Sequence, residues 1–407
     1  MMTPRVVTGL DRLAARRFDV LRGRRVGLIA NPTTVDARMN HLADLLHEAP
    51  EVRLAALFGP EHGVRGEEQD MEGVGHDRDP ATGVVVHSLY GDNEASLRPT
   101  SDQLDGLDVL VFDVQDVGSR YYTFAATMLY AMEAAAGLGL AFVVLDRPNP
   151  INGVDLEGPA VDPGYHSFVG AYPLPIRHGM TVGELARLFR AEKGLDLDLE
   201  VMPCEGWSRA MFWRETGLPW VAPSPNMPTP ETALVYPGGC LIEGTNLSEG
   251  RGTTRPFELW GAPDLDPKAL AEGATGDASR GAWLRPCSFR PMFHKHRGRV
   301  CHGVQPHVID PSAFRSLGLY TTFLALARAQ ALDTFGWRTE AYEFIKEPIA
   351  IDLLYGSGIE RSLIETAPAD DWATGVVLRD ALAPRWDGAC RAFRERRRDV
   401  LLYPDGG

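Results

Sequence analysis

Cysteine is scarce: the 407 residues hold five, Cys204, Cys240, Cys287, Cys301 and Cys390, with no C-x-x-C pair. A dispersed, odd set excludes a disulfide framework and suits reduced, structural thiols. No apolar run reaches the length of a membrane span. Met1–Gly23 alternates Arg with Leu and Val and lacks the continuous apolar core of a secretory leader. The expected location is therefore cytoplasmic, with an exported one left open to a leader already removed. Positive charge is also short. Against 55 Asp and Glu stand 41 Lys and Arg, a net −14, which argues against nucleic acid as the main partner. No strand is followed by G-x-G-x-x-G, so no dinucleotide is implied. G-x-S-x-G and H-E-x-x-H are missing too, which disfavours serine hydrolases and zincins.

What is present reads as α/β. Apolar runs at 25–30, 52–57, 84–89, 108–113 and 140–145 predict buried strands. Helical periodicity lies between them, at 11–21, 41–46 and 124–136. Thr181 with Glu184 three residues on makes a capping box for a helix over 181–193. The recurrence fits βαβ units with right-handed crossovers, hence a Rossmann-like, doubly wound parallel sheet. The connector 222–230 carries four prolines and divides the chain into residues 1–230 and a smaller α+β domain, 231–407. In the second part a strand is expected at 303–309, with helices at 320–332 and 374–398.

Three segments gather polar groups between glycines, each taken to sit at a strand end. Phe58-Gly59-Pro60-Glu61-His62-Gly63-Val64-Arg65 follows a buried strand, which delivers it to the carboxyl edge of the sheet. Asp113-Val114-Gln115-Asp116-Val117-Gly118-Ser119-Arg120-Tyr121-Tyr122-Thr123 follows another. Glu243-Gly244-Thr245-Asn246-Leu247-Ser248-Glu249-Gly250-Arg251 opens the second domain. Carboxylates, guanidiniums, amides and aromatic rings together suit a carbohydrate. Each also has a structural reading: a solvated turn carboxylate, a backbone-bonded His62, a capping Asp113, core tyrosines, a plain hairpin around Glu249. The cluster His294, His296, Cys301, His302 and His307 matches no standard zinc spacing, and Lys295 and Arg297 place positive charge beside it. No metal is assigned.

These three motifs, with Asp146-Arg147-Pro148-Asn149-Pro150, occur in an order that resembles the exo-β-N-acetylmuramidase family, long known as a domain of unknown function. The resemblance runs from about Arg24 to Tyr403. It implies two domains with a cleft between them, and release of terminal N-acetylmuramic acid from the non-reducing end of peptidoglycan-derived glycans. It implies no cofactor, and it leaves the oligomeric state open. Glycoside hydrolysis needs an acid on the leaving oxygen and a second group for the oxocarbenium-like transition state. Glu61 is the expected acid/base. Asp116 or Glu243 is expected as nucleophile or base; alternatively the substrate acetamide attacks while Asp116 polarises it. Arg65, Arg120, Arg251 and His62 are candidates for the lactyl carboxylate. Asp113, Gln115, Tyr121, Tyr122, Arg147, Asn149, Asn226, Asn246 and Glu249 complete the expected binding set. A non-catalytic sugar-binding protein and a metal-dependent hydrolase remain as alternatives.

Overall fold

In the first half of the chain, successive side chains of each strand enter two separate cores. Val26, Leu28 and Ala30 pack on one face of the sheet with Leu10, Leu13, Leu42 and Leu46. Ile29, Phe58, Phe112 and Val144 pack on the other with Met128 and Leu185. The period of two along a strand produces this division, and burial on both faces is why the runs are continuously apolar. Burying a side chain such as Phe112 stabilises the fold by ~1.5–3 kcal/mol. The computed structural model describes residues 6–66, 77–274 and 276–404.

The strands are β1 (Arg25–Ala30), β2 (Arg53–Gly59), β3 (Asp77–Arg78), β4 (Val85–Ser88), β5 (Val109–Asp113), β6 (Ala141–Leu145) and β7 (Leu199–Met202). Their order is β3-β4-β2-β1-β5-β6-β7. All neighbours pair in parallel except β3, which runs antiparallel to β4. Leaving out β3, the six parallel strands have the Rossmann order, reversing direction between β1 and β5. β7 was not foreseen, although Leu195, Leu197, Leu199 and Val201 alternate with acidic residues in a plain strand pattern.

The second domain is smaller. Its sheet is antiparallel, in the order β8 (Trp260–Ala262), β10 (Cys301–Val308), β9 (Ala282–Phe289). Helix Ser316–Gln330 packs on helix Pro230–Gly239. Pro237 removes a donor within the latter helix. Ser316 serves the disturbed backbone there, accepting from Gly238 N at 2.8 Å and donating to Val235 O at 2.7 Å. A Cβ on Gly238 would stand 2.3 Å from the Ser316 carbonyl oxygen, so only glycine permits this approach.

Three expectations are corrected. The helix over 11–21 is instead Gly9–Ala15, stopped where Arg17 and Phe18 turn left-handed, followed by a 3₁₀ turn at Asp19–Leu21. The helix over 374–398 starts later, at 376, and carries a π-type turn, Leu378–Leu382, ahead of Ala383–Arg397. Pro384, with no N–H, cannot continue the regular ladder across that junction. The segment carrying Glu243 is not a strand end but a 3₁₀ turn, Cys240–Gly244, continuing directly from helix Pro230–Gly239. Beyond the last helix the chain returns to the first domain, where Tyr403 donates to Asp146 at 2.5 Å.

Candidate active site

Glu61 stands in a tight turn at the carboxyl end of β2. Gly63 N donates to Pro60 O at 2.9 Å, and His62 takes φ 74°. A Cβ on Gly59 would lie 3.2 Å from Gly63 Cα and Val64 N, so the turn closes against a bare glycine. Glu61 is buried, and the Thr123 hydroxyl donates to its Oε2 at 3.0 Å. Thr123 is the N-cap of helix Phe124–Leu138, yet its side chain caps nothing. A favourable helix cap, typically worth ~1 kcal/mol, is given up there, and the hydroxyl serves the carboxylate.

Across from it, the 3₁₀ turn presents Glu243. Arg251 Nη2 donates to Oε1 at 2.6 Å and the Tyr342 hydroxyl to Oε2 at 2.7 Å. Burial, and then the charge of Glu243, pushes the Tyr342 phenol far up, which keeps it a donor. Behind Arg251 lies Glu249, fully buried, with Lys295 at 3.0 Å, His294 at 3.1 Å and Arg251 Nε at 3.4 Å. Burial works to raise the Glu249 carboxyl, but Lys295, His294 and Arg251 prevail and hold it far below the usual carboxylate range. The second wall is therefore a relay of alternating charge, Lys295 to Glu249 to Arg251 to Glu243, with His294 also against Glu249.

Between the walls is a small cleft, about 440 Å³ of empty space with the adjoining open solvent included. Of the expected residues it brings together Glu61, His62, Tyr121, Tyr122, Asn226, Glu243 and Arg251. Tyr122 and Tyr236 meet edge to face at 5.6 Å, and Tyr236 and Phe257 at 4.8 Å, giving the cavity an aromatic floor. Thr123, Ser224, Tyr236, Phe257, Tyr342 and Glu343 also line it and were not among the expected binding residues. Thr123 stood inside a quoted motif. Tyr342 and Glu343 lie in a stretch, 338–346, with neither glycine nor apolar period to mark it.

The remaining candidates lie elsewhere. Asp116 is buried and is not among the cavity's lining residues; its Oδ2 accepts from Gly118 N at 2.6 Å and faces His178 Nε2 at 3.3 Å. Its Oδ1 is buried with no hydrogen-bond partner among the described residues. Arg65 pairs with Asp44 at 2.7 Å and Asp79 at 2.8 Å. Arg120 donates to four carbonyls, of Pro159, Leu174, Leu354 and Tyr355, at 2.7–2.8 Å. Asp113 and Arg147 form a buried two-point pair at 2.5 and 2.8 Å. Gln115 donates to the carbonyls of Asp116 and Pro148. Asn149 spans Met180 O and Ile151 N, and Asn246 spans Thr334 O and Gly336 N. These contacts brace loops. The clustered histidines separate as well: His294 goes to Glu249, His296 to Asn246 O and His302 to Ser288. Among the described residues no three His, Cys, Asp or Glu gather as metal ligands, and no helix is long and apolar enough to cross a membrane.

Comparison with known proteins supplies the family. Residues 26–231 match the N-terminal domain, and residues 234–403 the C-terminal domain, described as exo-beta-N-acetylmuramidase NamZ. The chain is similar to the peptidoglycan beta-N-acetylmuramidase NamZ of Bacillus subtilis (strain 168), 48% identical over 400 residues, covering 98% of this chain and 92% of that one. Two crystal structures of DUF1343 family proteins from Bacteroides fragilis NCTC 9343 share its fold. One has a TM-score of 0.86 at 34% identity, covering 98% of this chain and 99% of that one. The other has 0.72 at 30%, covering 99% and 100%. With both domain descriptions matched in order and a relative of this identity along nearly its whole length, the chain belongs to the exo-β-N-acetylmuramidase NamZ family.

Proposed function

We propose that the cavity hydrolyses the glycosidic bond of a terminal N-acetylmuramic acid at the non-reducing end of peptidoglycan-derived glycans, with Glu61 as general acid/base. The chain is a glycoside hydrolase of the peptidoglycan β-N-acetylmuramidase family, acting in cell-wall turnover. One observation carries the choice of acid. Glu61 is held by a threonine hydroxyl, which both donates and accepts, so the contact survives gain or loss of a proton. Glu243 is held by a guanidinium, which only donates and bonds most strongly to a charged carboxylate. The first arrangement suits a group that must cycle a proton; the second suits a fixed anion.

Glu61 as the acid gives its proton to the leaving oxygen as the bond to the anomeric carbon breaks. Positive charge spreads over that carbon and the ring oxygen, and Glu243 stabilises it across the cavity. Water completes the reaction, and the Glu61 carboxylate recovers its proton from it. Arg251 is the only guanidinium among the described lining residues, and we assign it the lactyl carboxylate that sets muramic acid apart from glucosamine. The aromatic floor supports the apolar face of the ring, and Asn226 takes a hydroxyl or the acetamide. The unpartnered Oδ1 of Asp116 favours a second reading of the intermediate step, in which Asp116 polarises the acetamide N–H and the acetamide oxygen closes on the anomeric carbon.

Mass spectrometry of products from a muramic-acid–glucosamine disaccharide, and from the matching disaccharide without the lactyl group, tests the reading. Release of muramic acid from the first and about tenfold or slower turnover of the second are expected. Equal rates would remove the role given to Arg251, and no release from either would remove the activity.

A further inference from the structure

One phenol of the cavity wall carries an unused proton. Tyr122 lines the cavity and is 7% exposed, and its hydroxyl is buried with no hydrogen-bond partner among the described residues. Two other phenols of the wall are committed: Tyr121 donates to the Pro237 carbonyl and Tyr342 to Glu243. Thr123, next in the chain, gives its hydroxyl to Glu61. The Tyr122 ring is fixed by edge-to-face contacts, 4.9 Å from Phe124 and 5.6 Å from Tyr236. The charges that act on its phenol are those of Glu61, Asp116 and Arg251, and the Ser224 hydroxyl acts on it as a donor. Glu61, Arg251 and Ser224 all line the cavity, so the phenol faces it. A donating Ser224 still leaves the phenol's own proton without an acceptor. Burial pushes the phenol far above its usual value; Ser224 and Arg251 oppose this, Glu61 and Asp116 add to it, and the group stays a donor. An unsatisfied buried donor is costly, and one kept in a ligand cavity is accounted for by an acceptor that the ligand brings.

We propose that the Tyr122 hydroxyl donates to the acetamide carbonyl of the terminal sugar, which makes Tyr122 a specificity-determining residue for 2-acetamido sugars. The inference rests on the glycosidase reading above. A terminal N-acetylmuramic acid offers several acceptors, and most have another place. The lactyl carboxylate is given to Arg251, and a further anion at a phenol that already feels Glu61 and Asp116 is disfavoured. The leaving oxygen takes the proton of Glu61. The ring oxygen gains positive charge in the transition state, where a donor would oppose the reaction. Sugar hydroxyls can donate as well as accept, and beside carboxylates they donate. The acetamide carbonyl only accepts, which matches a group left with a proton to give.

The test uses the full chain and Tyr122→Phe, which keeps the ring and removes the hydroxyl. Calorimetry compares N-acetylmuramic acid with its 2-deoxy analogue, which has hydrogen in place of the acetamide, and kinetics follow an aryl β-N-acetylmuramide. Tyr122→Phe is expected to weaken binding of N-acetylmuramic acid about tenfold and of the analogue less than about twofold. KM for the muramide should rise to match. The midpoint of denaturant unfolding is expected to hold or rise, because the free protein loses an unsatisfied donor. Equal weakening of both ligands, or of neither, overturns the assignment. So does a lower midpoint, which would mean that the hydroxyl is bonded within the protein. A wild type that binds N-acetylmuramic acid but leaves the muramide intact strikes the glycosidase reading, while the binding arm still decides Tyr122. A wild type that binds neither ligand overturns both.

Discussion

The two walls of the cavity differ in the contacts described for their carboxylates. On the first-domain side, a four-residue turn after β2 presents Glu61 to a neutral hydroxyl from the neighbouring helix. On the second-domain side, Glu243 ends a relay of charge that begins at Lys295 and passes through Glu249 and Arg251. A hydroxyl can bond either protonation state of a carboxyl group equally, whereas a guanidinium favours the anion. Two buried glutamates in one cavity can therefore differ in task through contacts such as these, with no difference in residue type.

Breaking the relay should have the largest effect. Arg251→Met leaves Glu243 and Glu249 buried without their shared cation, and a loss of about 3–5 kcal/mol in denaturant unfolding, with activity abolished, is expected. A stability change below about 1 kcal/mol would show that the relay is not a unit.

Acid should loosen the first wall selectively. His41 caps helix Leu42–Glu48 by accepting from Ala43 N, and this helix supplies Asp44 to Arg65 just after the Glu61 turn. Burial, then the nearby Arg65, lowers His41 from 6.5 to about 4. The folded protein keeps it neutral while the unfolded chain takes up a proton. Stability from this group is complete above pH 6.5 and is lost as pH falls toward about 4, by up to ~3 kcal/mol. His41→Asn, which retains an acceptor, should flatten this slope in thermal melts across the window; an unchanged slope assigns it to other groups.

Smaller effects follow at single hydrogen bonds. Tyr342→Phe removes one donor from Glu243 and should cost about 1–3 kcal/mol, seen as a lower kcat/KM at constant pH. Thr123→Val should cost about 1 kcal/mol and displace the acid limb of the pH–rate profile, because it touches the group proposed to cycle a proton. The same displacement from Tyr342→Phe would erase the contrast between the walls.

The first wall was legible in the sequence and the second only partly so. Strands such as Val109–Asp113 are continuously apolar because both faces are covered, and Glu61 stands among turn residues immediately after one of them. The largely exposed β9 carried a weaker signal, and both it and β7, whose alternation is plain, are missing from the expected strands. Glu243 was taken for a strand end because Cys240-Leu241-Ile242 is apolar; burial under Ile351 makes a 3₁₀ turn equally apolar. Nor does a sequence disclose that Arg120 is enclosed by four carbonyls, or that Tyr342 and Glu343 reach Glu243 and Tyr90. Those contacts join residues 39 to 253 positions apart, and no local pattern encodes them.

The most direct test of the difference between the walls compares Glu61→Gln with Glu243→Gln on two substrates. One is a natural muramic-acid disaccharide, whose leaving group needs a proton; the other is an aryl muramide with a leaving group acidic enough to depart without one. The account predicts that Glu61→Gln loses about 10²–10⁴ in rate on the disaccharide but much less on the aryl substrate, while Glu243→Gln is equally impaired on both. A Glu61→Gln enzyme with the same loss on both substrates, or with none, would contradict it.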